Sequence, residues 1–394
     1  MASMTTTNPA EEMVDEERRR EFVEVARDFA QREIAPHAAE WDRKKTYPAD
    51  VVKQLGELGF LGLLASEEFD GLGLDALTYL MIMEEIAAAD ASVSIALSVH
   101  NSLPSYILES FGTPEQHEQW LRPMARGEVL AAFCVSEADS GSDVGSLRTR
   151  AEWNGSSWVL NGTKAWVTNG DVADLLLVMA RTSDDASSRT RGLSFFMVPA
   201  DTPGVEPGKA EDKMGLRASR TTQLALTNVE LGPQHLIGEQ GKGFRYAMEG
   251  LDRGRMGVAA QAIGIARQAL EHSVKYAGER KQFEKPIKDF QAIGFMLADM
   301  ATQVSAARAL LHEAARAEQR GEDITMRASM AKLFASETAV FVTQRAVQIF
   351  GGYGYMRDYP VERLLRDAKV TEIYEGTSEV QRIVIARELY SSHD

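Results

Sequence analysis

One cysteine, Cys134, stands in a chain of 394 residues. No disulfide can therefore close within it, and a reducing compartment, the cytoplasm, is the expected surroundings. No apolar run approaches the ~20 residues that a membrane-spanning helix needs, which argues against membrane insertion. Residues Met1 to Glu12 have neither an apolar core nor a basic face. They read as a loose tail rather than as a secretory or transit leader. Positive charge is scarce as well: 43 Lys and Arg stand against 58 Asp and Glu, a net charge of −15, with no extended basic run. That balance argues against nucleic acid as a partner. What remains is 44% hydrophobic and 26% charged, ordinary for a soluble globular enzyme and long enough for two or three packed units.

Taken in order, a tail over 1–14 precedes an all-α unit over 15–127. From Asp15 to Trp41 the residues Phe22, Val25, Ala26 and Phe29 recur at helical spacing among charges. A short helix follows at Pro48, then a glycine-rich loop around Phe69–Gly73, then helices over about Leu74–Ala89 and Ser92–Phe111. Thr113 before Pro114 signals the start of another. Near Gly127 the texture changes. The run Val129–Val135 is strand-like, and three Asn-Gly pairs, at 154–155, 161–162 and 169–170, are strong hairpin signals. A small antiparallel β-unit over 128–234 is expected, closing at Gly232-Pro233. From 235 to 394 the pattern is helical again. Gly250, Gly254 and Gly257 sit inside a helix, which implies close approach by a ligand or another helix. Later helices use Ile293, Met296, Met300 and Leu311, then Met330, Leu333, Phe334, Val340, Phe341 and Val347. The fold class is α+β: helices, a β-unit, and a helical bundle.

Near the C-terminus stands Ile373-Tyr374-Glu375-Gly376-Thr377-Ser378-Glu379. It reads as a strand-like lead-in, a tight turn and a helix start. Ser378 and Gln381 fit a capping box, and Val380, Ile383 and Val384 give the helix an apolar stripe. A carboxylate between Ile373 and Tyr374 is partly desolvated, which raises its pKa and makes it a better base near neutrality. The plain alternative is an exposed turn glutamate.

The segment Ile373–Arg382 resembles the signature that ends the acyl-CoA dehydrogenase family, and the order of helices, β-unit and four-helix bundle resembles that family's from about Asp15 to Tyr390. The resemblance implies FAD-dependent α,β-dehydrogenation of an acyl-CoA in fatty acid β-oxidation, with Glu375 taking the α-proton. It implies electron-transferring flavoprotein as the acceptor and a homotetramer. Phe133, Val135 and Ser136 would line FAD, and Ser142 would lie at both FAD and the pantetheine. Ala138 and Asp139 depart from the family's Pro and Gly there. By itself the Phe133–Asp143 loop is equally a plain turn.

Trp166 and Thr168 share one side of a strand. The resemblance sets them against the flavin, whereas a lone Trp is more often core. Asp252, Arg253, Gly254 and Arg255, with Gly376, would follow the acyl-CoA; otherwise Asp252 and Arg255 make a helix-face ion pair worth little. Gly254 is informative, because isovaleryl-CoA and long-chain members carry their base about there. Arg280, Gln282, Phe283, Gln291, Gln348, Gly351, Gly352, Thr377 and Glu379 would contact FAD, several of them across a subunit boundary. Arg suits a pyrophosphate and paired glycines let backbone approach an adenosine; surface charge and a helix-ending glycine pair are the plain reading. No metal site is expected. An acyl-CoA oxidase, a non-CoA flavoenzyme on this scaffold and a non-catalytic acyl-CoA-binding protein are the competing readings. Glutaryl-CoA is disfavoured because Ser94 stands where an Arg is needed. A short or short-branched acyl chain is expected from likeness to the short-chain branch.

Overall fold

A computed structural model describes residues 9–183 and 185–391. Eight helices open the described chain: α1 (Pro9–Phe29), α2 (Ala38–Lys44), α3 (Ala49–Glu57), α4 (Ala76–Ala89), α5 (Ala91–His100), α6 (Tyr106–Phe111), α7 (Pro114–Gln116) and α8 (Arg122–Ala125). Helix α1 begins six residues before the expected Asp15, which shortens the expected tail; residues 1–8 lie outside the described residues. Asp75 caps α4 and Asp90 caps α5, each accepting a backbone N–H. The segment expected as one helix to Phe111 widens into a π-type turn over Asn101–Ser105. That turn accommodates Pro104 inside the helix. Thr113 forms a capping box with Gln116, as the sequence suggested.

The middle of the chain is a mixed eight-stranded sheet. Its strands are β1 (Ala131–Cys134), β2 (Arg150–Trp153), β3 (Trp158–Thr168), β4 (Leu175–Arg181), β5 (Leu193–Pro199), β6 (Val205–Pro207), β7 (Thr221–Leu231) and β8 (Leu236–Ile237). Pairing is antiparallel except where β1 and one residue of β2 run parallel to β4. Both faces are covered. Leu175, Leu177 and Met179 of β4 pack toward Ile107, Leu121 and Met124 of the helical layer, while Leu176, Val178 and Ala180 pack on Leu160 and Leu224. Only the first Asn-Gly pair is a hairpin turn, with Asn154 Oδ1 accepting from Ser156 and Ser157 N. The second lies at a bulge inside β3, where Asn161 Oδ1 accepts from Asn228 N and Gly162 presses on Thr149. The third ends β3: Asn169, at φ 62, is buried and its Nδ2 donates to Ala96 O, tying the sheet to α5. In both cases a tertiary contact claims the asparagine that a hairpin would have used.

A two-stranded hairpin of β9 (Lys281–Gln282) and β10 (Lys285–Pro286) interrupts the C-terminal helices. These are α9 (Gly243–Glu279), α10 (Gln291–Gln319), α11 (Thr325–Phe350), α12 (Val361–Val370) and α13 (Ser378–Ser391). The buried face of α11 is not the expected Met330, Phe334 and Phe341 but the small set Ala328, Ala331, Ala335, Ala339 and Ala346. It packs on α9, whose buried residues are also largely small, among them Ala259, Ala262 and Ala266. Small residues on both helices permit a short interaxial distance, and the larger side chains are left half-buried outside. Buried acids bind this bundle to the first unit: Glu84 accepts from Arg308 at 2.7 Å, and Glu85 accepts from Arg267 at 2.8 Å and Arg27 at 3.0 Å.

Candidate active site

Glu375 lies on the turn between α12 and α13. The lead-in is helical rather than strand-like, since the N–H groups of Ile373 and Tyr374 both return to Val370 O. The turn itself is left-handed, Glu375 at φ 51 and Gly376 at φ 93. A non-glycine residue there is held at a cost that clusters at functional sites. Thr377, not Ser378, caps α13: its Oγ1 accepts from Val380 N at 3.2 Å. Gln381 is buried and serves the turn instead of a capping box, donating to Gly376 O at 2.9 Å. Of the expected stripe, Val384 is buried, Val380 half-buried and Ile383 exposed.

The glutamate's two ends differ. The residue as a whole is half-buried, and among the described residues its backbone N–H donates to nothing. Both carboxylate oxygens are buried and have no hydrogen-bond partner. Burial pushes the carboxyl up to about 7, against the opposing pull of Lys332 and Arg255. The carboxylate rests on Gly254 of α9, where a Cβ would come within 2.1 Å of Oε2. That contact explains why glycine is needed opposite this carboxylate. One turn on, Gly257 admits Ser98 Oγ and Tyr79 OH, which are 3.3 Å apart. Tyr374 OH donates to Gln261 Oε1, fixing the wall beside the turn.

Around it, Arg255 is buried and ion-paired with Asp252, whose second oxygen accepts from Thr325 Oγ1. This is an interior pair rather than the weak surface pair considered from sequence. Arg253 bonds Glu318 at 2.8 Å and lies 4.0 Å over the Tyr106 ring. Ser94 is fully buried and its Oγ lacks a partner. Two residues hold the turn from behind: Lys332, which the sequence did not single out, and Gln381, read from sequence as a capping-box partner. Lys332, fully buried on α11, donates to Gly376 O at 2.7 Å, and Gln381 shares that carbonyl. Only its spacing from a helix face could have hinted at Lys332.

The β-unit presents a second set. Phe133 packs at a tilt against Phe195, Val135 is buried, and Ser136 sits just past the end of β1. Trp166 is 58% exposed at a bulge of β3, with φ 54, which removes the core reading of this residue. Thr168, Ser136 and Ser142 have hydroxyls with no partner among the described residues. Behind them Glu137 accepts from Thr149 N, Thr149 Oγ1, Arg148 N and Lys164 Nζ, all within 2.9 Å. A third group lies apart: a pocket of ≈430 Å³ gathers Arg280, Gln282, Gly351 and Gly352 beside Tyr276, Phe350 and Tyr353. Phe283 is not in it; it tops the β9–β10 hairpin, 87% exposed, at φ 51. Gln291, Gln348 and Glu379 are exposed and Thr377 half-buried.

An exposed tryptophan beside free hydroxyls and a buried unpaired carboxylate seated against the glycines of α9 thus stand in a chain whose sheet lies between two helical units. Family models for the N-terminal, middle and C-terminal domains of acyl-CoA dehydrogenase match residues 16–128, 132–229 and 241–390, and the chain belongs to that family. The short-chain specific acyl-CoA dehydrogenase of mouse mitochondria is 46% identical over 370 residues, 94% of this chain and 89% of the relative. Butyryl-CoA dehydrogenase from Megasphaera elsdenii superposes with a TM-score of 0.92 at 43% identity, covering 94% of this chain and 98% of that one. A structure described as electron transferring flavoprotein of Acidaminococcus fermentans matches with TM-score 0.92 and 44% identity, covering 94% and 97%. Family members are flavoproteins that oxidise acyl-CoA.

Proposed function

We propose that this chain is a short-chain acyl-CoA dehydrogenase that converts an acyl-CoA into its trans-2-enoyl-CoA with FAD. The observation that carries the reading is the Glu375 carboxylate: buried, free of hydrogen-bond donors, pushed up to about 7 and seated on Gly254. A carboxylate so arranged has both lone-pair faces free for a proton and a basicity matched to neutral pH. Glu375 removes the α-proton, and its own unpaired backbone N–H donates to the thioester oxygen, stabilising the developing enolate. Asp252, Arg253, Arg255 and Ser142 bind along the CoA, and Gly254 and Gly376 allow its close approach.

The residues present fit FAD. The exposed Trp166, the free hydroxyls of Ser136 and Thr168, and Phe133 and Val135 would hold the isoalloxazine. Arg280, Gln282, Gly351 and Gly352, gathered in one pocket, suit a pyrophosphate and adenosine; Phe283, Gln291, Gln348, Thr377 and Glu379 do not line that pocket and are proposed as further FAD contacts. Bound FAD would supply the acceptor for the β-hydride. Exposed Phe283, Phe295, Tyr355 and Ile383 on the helical unit support assembly into a homotetramer, with those residues meeting a neighbour. Electron-transferring flavoprotein is the proposed acceptor, and the cytoplasm, where a lone buried thiol stays reduced, the proposed location.

The test is anaerobic mixing of the purified yellow protein with acyl-CoAs from short to long, straight and branched, following absorbance near 450 nm. Bleaching by short chains, lost by at least ~10²-fold in Glu375→Gln with FAD retained, is expected. A yellow protein that no acyl-CoA bleaches sinks the reading, and rapid turnover with oxygen alone would point to an oxidase.

A further inference from the structure

The chemistry above leaves Lys332 without a task. Its side chain is fully buried, it lies within ion-pair distance of no carboxylate among the described residues, and its Nζ donates to the neutral Gly376 carbonyl at 2.7 Å. Burying an ammonium against a neutral partner is costly, and a methionine would fill the same space without that cost. Compensation has to come from charge nearby. Glu375 pulls on Lys332 more than any other acid, with Glu372 and Glu379 behind it and Arg255 opposing. The charged groups facing Glu375 are Lys332 from α11 and Arg255 from α9. Tyr79 from α4 and Tyr374 on the turn itself are the titratable neighbours, and burial and the Glu375 charge hold both neutral. Arg255 is already engaged by Asp252.

We propose that Lys332 is a positioning residue of the reaction: its bond to Gly376 O fixes the left-handed turn that aims the Glu375 carboxylate, and its buried charge favours the ionised form of that carboxylate. The reading of Glu375 as the base underlies this. A thioester entering the site removes water and would push Glu375 further toward its neutral form. A direct salt bridge would prevent that but would occupy the lone pairs needed for the α-proton. A positive charge held one carbonyl away does the first without the second.

The experiment uses the FAD-loaded protein and its Lys332→Met and Lys332→Gln variants. The pH dependence of anaerobic flavin bleaching is followed with the acyl-CoA that works on wild type, alongside FAD content and Tm. Losing the charge raises the Glu375 pKa, so the acid limb moves to higher pH by about one unit in both variants, and the rate at pH 7 falls up to about tenfold. FAD content and Tm stay near wild type. Glutamine keeps a donor without the charge, so above the limb it retains more of the wild-type rate than methionine. An acid limb unmoved in both variants overturns the proposal, whatever the rates do; should methionine fail to fold, the glutamine limb decides. If wild type is bleached by no acyl-CoA, the assignment of the base fails and the proposal falls with it. If wild type is bleached and the variants titrate like it, the proposal alone fails.

Discussion

Two fully buried lysines lie beside glutamates in this molecule, one in each half. In the β-unit Lys164 meets Glu137 directly at 2.9 Å, and Glu137 also accepts from Arg148 and Thr149. Burial would lift Glu137, but Lys164 and these donors outweigh it and hold the carboxyl below its ordinary range. In the helical unit Lys332 stops at a backbone carbonyl and Glu375 has no donor at all. Burial brings each lysine down to about 8. The glutamates nevertheless move in opposite directions. A buried lysine is near both, but only Glu137 has it as a direct partner, and the Glu375 carboxyl is the more deeply buried; direct donors and depth together separate the structural acid from the proposed base.

The largest effect expected on this contrast comes from breaking the satisfied pair. Glu137→Ala strands Lys164 in the interior and should cost about 3–5 kcal/mol, read by denaturant unfolding. Because Val135 O also accepts from Lys164, the strand end carrying Ser136 should loosen and FAD content fall. A cost below ~1 kcal/mol would mean that water reaches the pair and that the two sites differ less than their contacts indicate.

The next is a difference of sign with pH. Glu375 titrates near 7 in the fold against an ordinary 4.5, so the native state holds a proton that the unfolded chain has released. The stability this confers is complete below about pH 4.5 and is lost as pH rises through 7, on the order of 3 kcal/mol. Relative to wild type, Glu375→Gln should therefore gain Tm as pH rises from 4.5 to 8. Glu137 is lowered, so its contribution is present above the ordinary carboxylate range and is lost as pH falls through its folded value. Glu137→Gln should approach wild-type Tm on acidification. Parallel pH trends in the two variants would break the contrast.

Smaller again is the effect of crowding the free carboxylate. A Cβ at Gly254 would meet Glu375 Oε2 at 2.1 Å and Cδ at 3.1 Å, so Gly254→Ala displaces the base without touching the turn. Misplacement of this order costs about 10²-fold in rate. Helix α9 itself should gain up to about 1 kcal/mol from alanine, so unfolding should show no loss. Loss of stability together with rate would mean that the helix, not the carboxylate, had moved.

Much of this was legible in the residues. The order of helices, sheet and helices, the glycines inside α9 and the Thr113 cap follow from periodicity and local chemistry, and the turn at Glu375 from the glycine after it. What was not legible depends on tertiary partners. Two Asn-Gly pairs were spent on a bulge and on a contact with α5, which no local rule reports. The buried face of α11 follows its small residues because α9 comes close, whereas a hydrophobicity pattern points to Phe334 and Phe341. Phe283 belongs by resemblance with Arg280, yet within one chain it stands exposed at a left-handed hairpin tip, outside the pocket that holds Arg280. Lys332 was invisible because a lysine in a helix reads as solvated until the fold buries it.

The smallest effect concerns the cap beside the base. From sequence, Ser378 is the better candidate, since Gln381 stands three residues on. In the fold Thr377 Oγ1 takes the Val380 N–H, Gln381 turns back to the Gly376 carbonyl, and Ser378 Oγ is left buried and unpartnered. Thr377→Ala should therefore cost about 1 kcal/mol, while Ser378→Ala removes an unsatisfied hydroxyl and should be neutral or slightly stabilising. Thermal unfolding of the two variants separates the alternatives. Equal losses, or a loss at Ser378 alone, would restore the capping box and free Gln381 from the turn. The Glu375 carboxylate would then depend on Lys332 alone for the position of its backbone.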